Sequence, residues 1–195
     1  MIAIIEGCGA NFASVQFALE RLGKKSVLTT DPQVIQAASH VILPGVGHAK
    51  YVMSRLEQLA LINVIKALTQ PVLGICLGMQ ILHEHSDEGN VTCLGIIPGE
   101  VKPLPKKADF TLPHMGWNQL NIFQQNNPLL QGIKNNADVY FVHSYAVPVS
   151  QYTVAQSHHT SDFAAIVQHE NFYGAQFHPE RSGYVGAKIL ENFLT

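Results

Sequence analysis

Apolar residues in the first half of this chain fall in short runs separated by segments of helical period. Ile2–Ile5, Ser26–Thr30, His40–Leu43 and Val72–Ile75 are each bounded by polar or turn-forming residues, and each predicts a buried strand. Phe12–Leu22 and Tyr51–Leu68 place apolar side chains three and four residues apart, predicting amphipathic helices between them. A further helical segment, Leu77–His85, follows the fourth strand directly. Strand–helix alternation of this kind predicts an α/β fold with a parallel sheet covered on both faces, its functional loops at the carboxyl ends of the strands.

After about residue 90 the pattern shortens. Asp138–His143, Tyr152–Ser157, Phe163–Gln168 and Phe172–Phe177 predict strands linked by turns, which suits antiparallel pairing. Tyr184–Phe193 predicts a terminal helix packed back on the sheet, and the proline- and lysine-rich Lys102–Phe110 reads as an exposed loop. The expectation is one domain, 1–195, built on a mixed, mostly parallel central sheet flanked by helices, with an antiparallel second half.

Composition narrows the classes. The 195 residues are 47% hydrophobic, enough for one well-buried domain. Charged residues are 13% and net charge is −2, so no basic excess points to nucleic acid or a membrane surface. No apolar run reaches transmembrane length, and Met1–Glu6 lacks a basic leader and reads as the first strand. Cys8, Cys76 and Cys93 are an odd, scattered set, which suits free thiols in a cytoplasmic, reducing compartment.

The chemistry concentrates at Gly74-Ile75-Cys76-Leu77-Gly78. A strand that ends in Gly-x-Cys-x-Gly and enters a helix at once makes a sharp elbow, with the glycines admitting close neighbours. Cys76 then sits at a strand's carboxyl end beside a helix N-terminus, where a thiolate is favoured. Near the other end, Gln176-Phe177-His178-Pro179-Glu180 follows an aromatic-rich strand and supplies a base and a carboxylate two residues apart. A thiol nucleophile needs a base, and the base needs a group to fix its tautomer. Cys76, His178 and Glu180 fill those three roles.

These residues resemble the class I (triad) glutamine amidotransferases, and the resemblance covers essentially the whole chain. Leu43-Pro44-Gly45-Val46-Gly47, the Cys76 elbow with Gln80, and Gln176–Glu180 are similar to motifs of the broad family. Pro113-His114-Met115-Gly116-Trp117-Asn118, Tyr140-Phe141-Val142-His143-Ser144-Tyr145 and Asn192-Phe193-Leu194 resemble the branch serving histidine biosynthesis. The resemblance implies glutamine hydrolysis through a Cys76 thioester, with backbone amides of Val46, Gly47 and Leu77 near the oxyanion. It also implies that Gly45, Gln80, His143, Ser144 and Tyr145 bind the amino-acid end of glutamine. No cofactor or metal is implied. The implied partner is a (β/α)8-barrel cyclase subunit that receives the ammonia, docked near Asn11, His114, Met115, Trp117, Asn118, Tyr140 and Arg181. Residue chemistry alone leaves three alternatives: a glutaminase of another pathway, a stand-alone γ-glutamyl hydrolase, and a binding subunit without catalysis.

Three other patterns are weaker. Gly7-Cys8-Gly9-Ala10-Asn11-Phe12, with Asp31 after the second strand, begins like a dinucleotide fingerprint but has Phe12 where the third glycine belongs. His83-Glu84-His85-Ser86-Asp87-Glu88 is rich in metal-ligand types, but its histidines face apart on a helix and the order is not HExxH, so it reads as a solvated helix end. His158-His159 falls in an expected turn without a usable pattern.

Overall fold

The computed structural model describes residues 1–7 and 12–195. Cys8 and Asn11, with the fingerprint-like loop that holds them, lie outside the described residues. Strands β1 (Ile2–Ile5), β2 (Ser26–Thr29), β3 (His40–Gly45) and β4 (Val72–Cys76) pair in parallel, in the order β2-β1-β3-β4. Phe172–Ala175 continues the sheet parallel to β4, and Asp162–His169, Thr153–His158 and Asn121–Ile122 extend it antiparallel to eight strands. The mixed sheet and its antiparallel second half match the sequence pattern.

Two-residue alternation along β1 separates the core into two layers. Ile2 and Ile4 face α1 (Phe12–Arg21) and the terminal α6 (Gly183–Phe193), packing with Val15, Leu19, Ile189 and Phe193. Ala3 and Ile5 face the opposite layer, α2 (Pro32–Ala37), α3 (Ala49–Gln58) and α4 (Ile62–Lys66), through Ile35, Val52, Leu56 and Ile65. The inner strands are buried on both faces, and for that reason they read as continuous apolar runs.

The structure corrects several boundaries. The helix expected over Tyr51–Leu68 is two helices, broken where Ala60 takes φ 55° and the Leu61 N–H donates to the Leu56 carbonyl, closing a Schellman-type end. Alanine holds the position where glycine would have signalled that stop. The helix expected over Leu77–His85 is only α5 (Leu77–Gln80), and His85–Ser86 instead pairs with Val91–Thr92 and Glu100–Val101. Part of the expected 102–110 loop is strand, because Glu100–Pro103 also pairs with Tyr145–Ala146 and Leu104 is buried. Asp31 caps α2, its carboxylate accepting from the Gln33 N–H at 2.8 Å with Pro32 in the first turn. His83 is buried against the Met79 carbonyl and is no solvated helix end.

A separate antiparallel ribbon, His114–Gln119 with Asp138–His143, stands beside the carboxyl edge of the sheet. One of its strands places His143 opposite His114, and the next residues, Ser144 and Tyr145, run to the site.

Candidate active site

The elbow is set by backbone contact. A Cβ on Gly78 would overlap the Leu43 carbonyl oxygen, and one on Gly74 would come within 2.6 Å of the Gly78 oxygen. Only glycines let β3, β4 and α5 approach this closely. At the bend Cys76 takes φ 54°, ψ −110°, a sparsely populated conformation for a side-chain-bearing residue. Strain of this kind costs on the order of 1–3 kcal/mol and persists because the surroundings fix it. It aims the thiol out of the sheet edge into a cavity of about 270 Å³.

Val46, Gly47, Cys76, Leu77, Gln80, Val142, His143, Ser144, Tyr145 and His178 all line that cavity, together with Glu88 and Pro113. Leu77 is the first residue of α5, so its N–H has no partner within the helix, the kind of donor an oxyanion can use. Gly47, across the cavity, holds φ 103°, a conformation only glycine adopts readily. Gly45 does not line the cavity. It lies beneath, where a Cβ would meet the Gly78 nitrogen at 2.5 Å, so its place is in the packing of the elbow.

His178 Nδ1 is 2.8 Å from Glu180 Oε1, and the ring shares the cavity wall with Cys76, which also acts on its pKa. Both partners are held close: Glu180 is buried in the turn Pro179–Arg181, and the His178 N–H donates to the Tyr140 carbonyl at 2.9 Å. Burial alone would lower the imidazole pKa. The hydrogen bonds to Cys76 and Glu180 and the charges of both outweigh it and raise the pKa to about 10. The site therefore favours the imidazolium form of His178, next to the sulfur that has to act as nucleophile.

Two residues were missed in the sequence. The Gln176 amide donates to Cys76 Sγ at 3.8 Å and accepts from Gln80 Nε2 at 3.0 Å, tying the nucleophile to the helix behind it. Its place in the Gln-Phe-His-Pro motif was the available signal. Glu88 lines the cavity from the turn that joins His85–Ser86 to Val91–Thr92, while its Oε2 accepts from the Ala49 N–H at 2.9 Å. It ends the His83–Glu88 run that reads in sequence as a solvated helix end, and the two-residue strands that bring it to the cavity leave no signal of their own.

The residues expected at a docking face divide. Met115 and Trp117 are 62% and 58% exposed, Arg181 is exposed, and Tyr140 and Asn118 are half-buried. His114 is buried, and this corrects its expected place on the surface: alternation along the ribbon turns it inward as it turns Met115 and Trp117 out. His159, which carried no sequence signal, stacks on it at 4.2 Å between centroids.

A two-faced α/β sheet whose elbow cysteine shares a small cavity with a His–Glu pair defines a class. Residues 5–195 match the family model of class-I glutamine amidotransferases, and the chain belongs to that family. Across 195 residues, all of this chain and 98% of the relative, it is 51% identical to subunit HisH 2 of imidazole glycerol phosphate synthase from Legionella pneumophila (strain Lens). It is 50% identical over 193 residues to the HisH subunit of Xanthomonas axonopodis pv. citri (strain 306), covering 99% of this chain and 96% of that one. A crystal structure of a glutamine amidotransferase superposes with a TM-score of 0.76 at 15% identity, covering 99% of this chain and 96% of that one, so the fold is shared. Among the described residues no helix is long and apolar enough to cross a membrane.

Proposed function

We infer that this chain is the glutaminase subunit of an imidazole glycerol phosphate synthase, acting in histidine biosynthesis. It hydrolyses glutamine and passes ammonia to a (β/α)8-barrel cyclase subunit, which makes imidazole glycerol phosphate and the aminoimidazole carboxamide ribonucleotide. The observation that carries the reading is the strained Cys76, which shares one cavity with a His178 that Glu180 holds at 2.8 Å.

Cys76 Sγ attacks the side-chain carbonyl carbon of glutamine, and the Leu77 N–H with an N–H of the Val46–Gly47 segment stabilises the oxyanion. His178 gives its proton to the departing nitrogen, ammonia leaves, and a γ-glutamyl thioester remains. Water then adds as His178 takes its proton. The thioester C–S bond breaks, releasing glutamate and restoring the thiolate–imidazolium pair. Gln80 and the Ser144–Tyr145 backbone hold the amino-acid end, and the Glu88 carboxylate faces its ammonium group. The exposed Met115 and Trp117, with Tyr140 and Arg181, form the docking face for the cyclase. A cytoplasmic location goes with this chemistry, since a reducing compartment keeps Cys76 as a thiol.

The test is glutamate release by the purified chain, alone and with the cyclase subunit and its nucleotide ligand. The expected result is low activity alone and strong activation by the liganded partner. Full activity alone, unchanged by the partner, would assign an independent hydrolase.

A further inference from the structure

We propose that His114 is a positioning residue of the glutamine site, one that holds His143, and through it the Tyr145 carbonyl and Gln80, in a single arrangement. The proposal rests on the glutaminase reading above.

The hydrogen bonds fix every proton in this chain of groups. The Tyr145 carbonyl can only accept, so His143 Nδ1, 2.9 Å away, bears the hydrogen. His143 Nε2 is then an acceptor, and His114 Nδ1, at 3.0 Å, must donate to it. That leaves His114 Nε2 as an acceptor, and Asn118 Nδ2 supplies a donor at 3.3 Å while also donating to the His158 carbonyl at 2.7 Å. Both imidazoles are therefore neutral Nδ1–H tautomers with one consistent direction. Reversing either ring would set two donors or two lone pairs against each other inside the fold.

At its inner end the chain meets the substrate pocket. Gln80 Nε2 donates to the same Tyr145 carbonyl at 2.8 Å, so two donors saturate that oxygen and neither it nor Gln80 is free to turn. Gln80 continues to Gln176, and Gln176 to Cys76 Sγ. His143 follows Val142, whose carbonyl lies 3.7 Å from the same sulfur. At its outer end the chain begins on the strand that carries the exposed Met115 and Trp117. The route thus joins that strand to the wall of the pocket through side chains with one allowed proton arrangement.

The packing holds both rings uncharged. His114 lies between Phe141, stacked at 5.0 Å, and His159 at 4.2 Å, and His143 meets Phe163 at 4.8 Å. The ionisable groups facing the pair are His159 and His178, and neither is an anion that would favour an imidazolium. Burial, the dominant cause, pushes both pKa values down, helped at His114 by His159 and at His143 by His114, His159 and His178.

The test has two arms. In the complex with the cyclase, His114→Leu removes the donor to His143, whereas His114→Asn keeps an amide N–H near the place of Nδ1. The expected result for His114→Leu is a glutamine KM raised about tenfold with kcat changed less than about threefold, as loss of one buried hydrogen bond predicts. His114→Asn should recover KM to within about threefold, and ammonia-dependent synthesis should be unchanged in both. An unchanged KM in His114→Leu, or no recovery in His114→Asn, would overturn the proposal. Should His114→Leu fail to assemble, nitrogen NMR of the histidine rings in the wild-type chain decides. Two neutral Nδ1–H rings persisting at about pH 5 support it, and an Nε2–H tautomer or an imidazolium at either ring would overturn it. A wild-type chain that released no glutamate would instead reject the glutaminase reading, and the NMR result would stand apart from that.

Discussion

Gly78 and the Leu43 carbonyl oxygen touch so closely that no Cβ fits between them. That contact locks the elbow carrying Cys76 to the strand leading into the Val46–Gly47 loop, so the nucleophile and the candidate oxyanion donors share one rigid frame. Gly78→Ala should force these backbones apart. The expected cost is about 2–4 kcal/mol of stability, with glutaminase activity lost. A urea unfolding midpoint equal to wild type would show that the frame can yield.

Cys76 stores strain of its own at φ 54°. Cys76→Ala and Cys76→Gly should both abolish glutamine-dependent synthesis while sparing ammonia-dependent synthesis by the complex. The glycine variant should be the more stable of the two by about 1 kcal/mol, since only glycine takes this backbone without cost. Equal stabilities would mean that the elbow is unstrained.

The histidines give stability opposite slopes with pH. The His178 pKa is raised from 6.5 to about 10, so its contribution is full below pH 6.5 and is lost as pH climbs toward 10. His83 and His114 are lowered by burial to about 4 and His143 to about 3, so theirs is present above pH 6.5 and lost as pH falls through those values. Stability should therefore peak near neutrality. Glu180→Gln removes one of the charges that raise His178, so the gap between variant and wild type should be widest near pH 6.5 and narrow toward pH 10. Urea midpoints across that range measure it, and a gap independent of pH would contradict the assigned charge state.

Legibility in the sequence followed local physics. The inner parallel strands and the elbow were readable because double burial makes continuous apolar runs and the two glycines mark the bend. His178 and Glu180 were readable as a pair because proline holds them two residues apart. The stop at Ala60 was not, since its left-handed turn is imposed by packing and not by a glycine. Nor was the burial of His114, whose partners His143 and His159 come from distant strands and turns.

Glu88 separates charge from capping. Its carboxylate lines the cavity and also accepts the first N–H of α3 at 2.9 Å. Glu88→Gln keeps an acceptor for that N–H and removes the charge facing the substrate ammonium. The expected outcome is a glutamine KM raised about 10- to 100-fold, with the unfolding midpoint within about 0.5 kcal/mol of wild type. Glu88→Ala should add a stability loss of about 1 kcal/mol from the uncapped helix. A KM unchanged in Glu88→Gln would remove this residue from the substrate site.

Trp117 is 58% exposed and packs edge-on against Tyr140 at 5.9 Å, and the Tyr140 carbonyl accepts the backbone N–H of His178. A large aromatic left in water beside Met115 has the character of an interface anchor, the role proposed for it above. Because its ring is already solvated, Trp117→Ala should leave the fold within about 0.5 kcal/mol of wild type. In the complex the same change should weaken cyclase binding by about 2–4 kcal/mol, a loss of about 30- to 1000-fold in affinity. Activation should fall in step with occupancy and return when the cyclase is supplied in excess, because Trp117 does not line the cavity that holds Cys76. Titration calorimetry gives the affinity, and glutamate release at saturating cyclase gives the recovery. Wild-type affinity in Trp117→Ala would place the docking face elsewhere on the molecule, and activation still missing at saturation would give this residue a part in transmitting the signal through Tyr140 to His178.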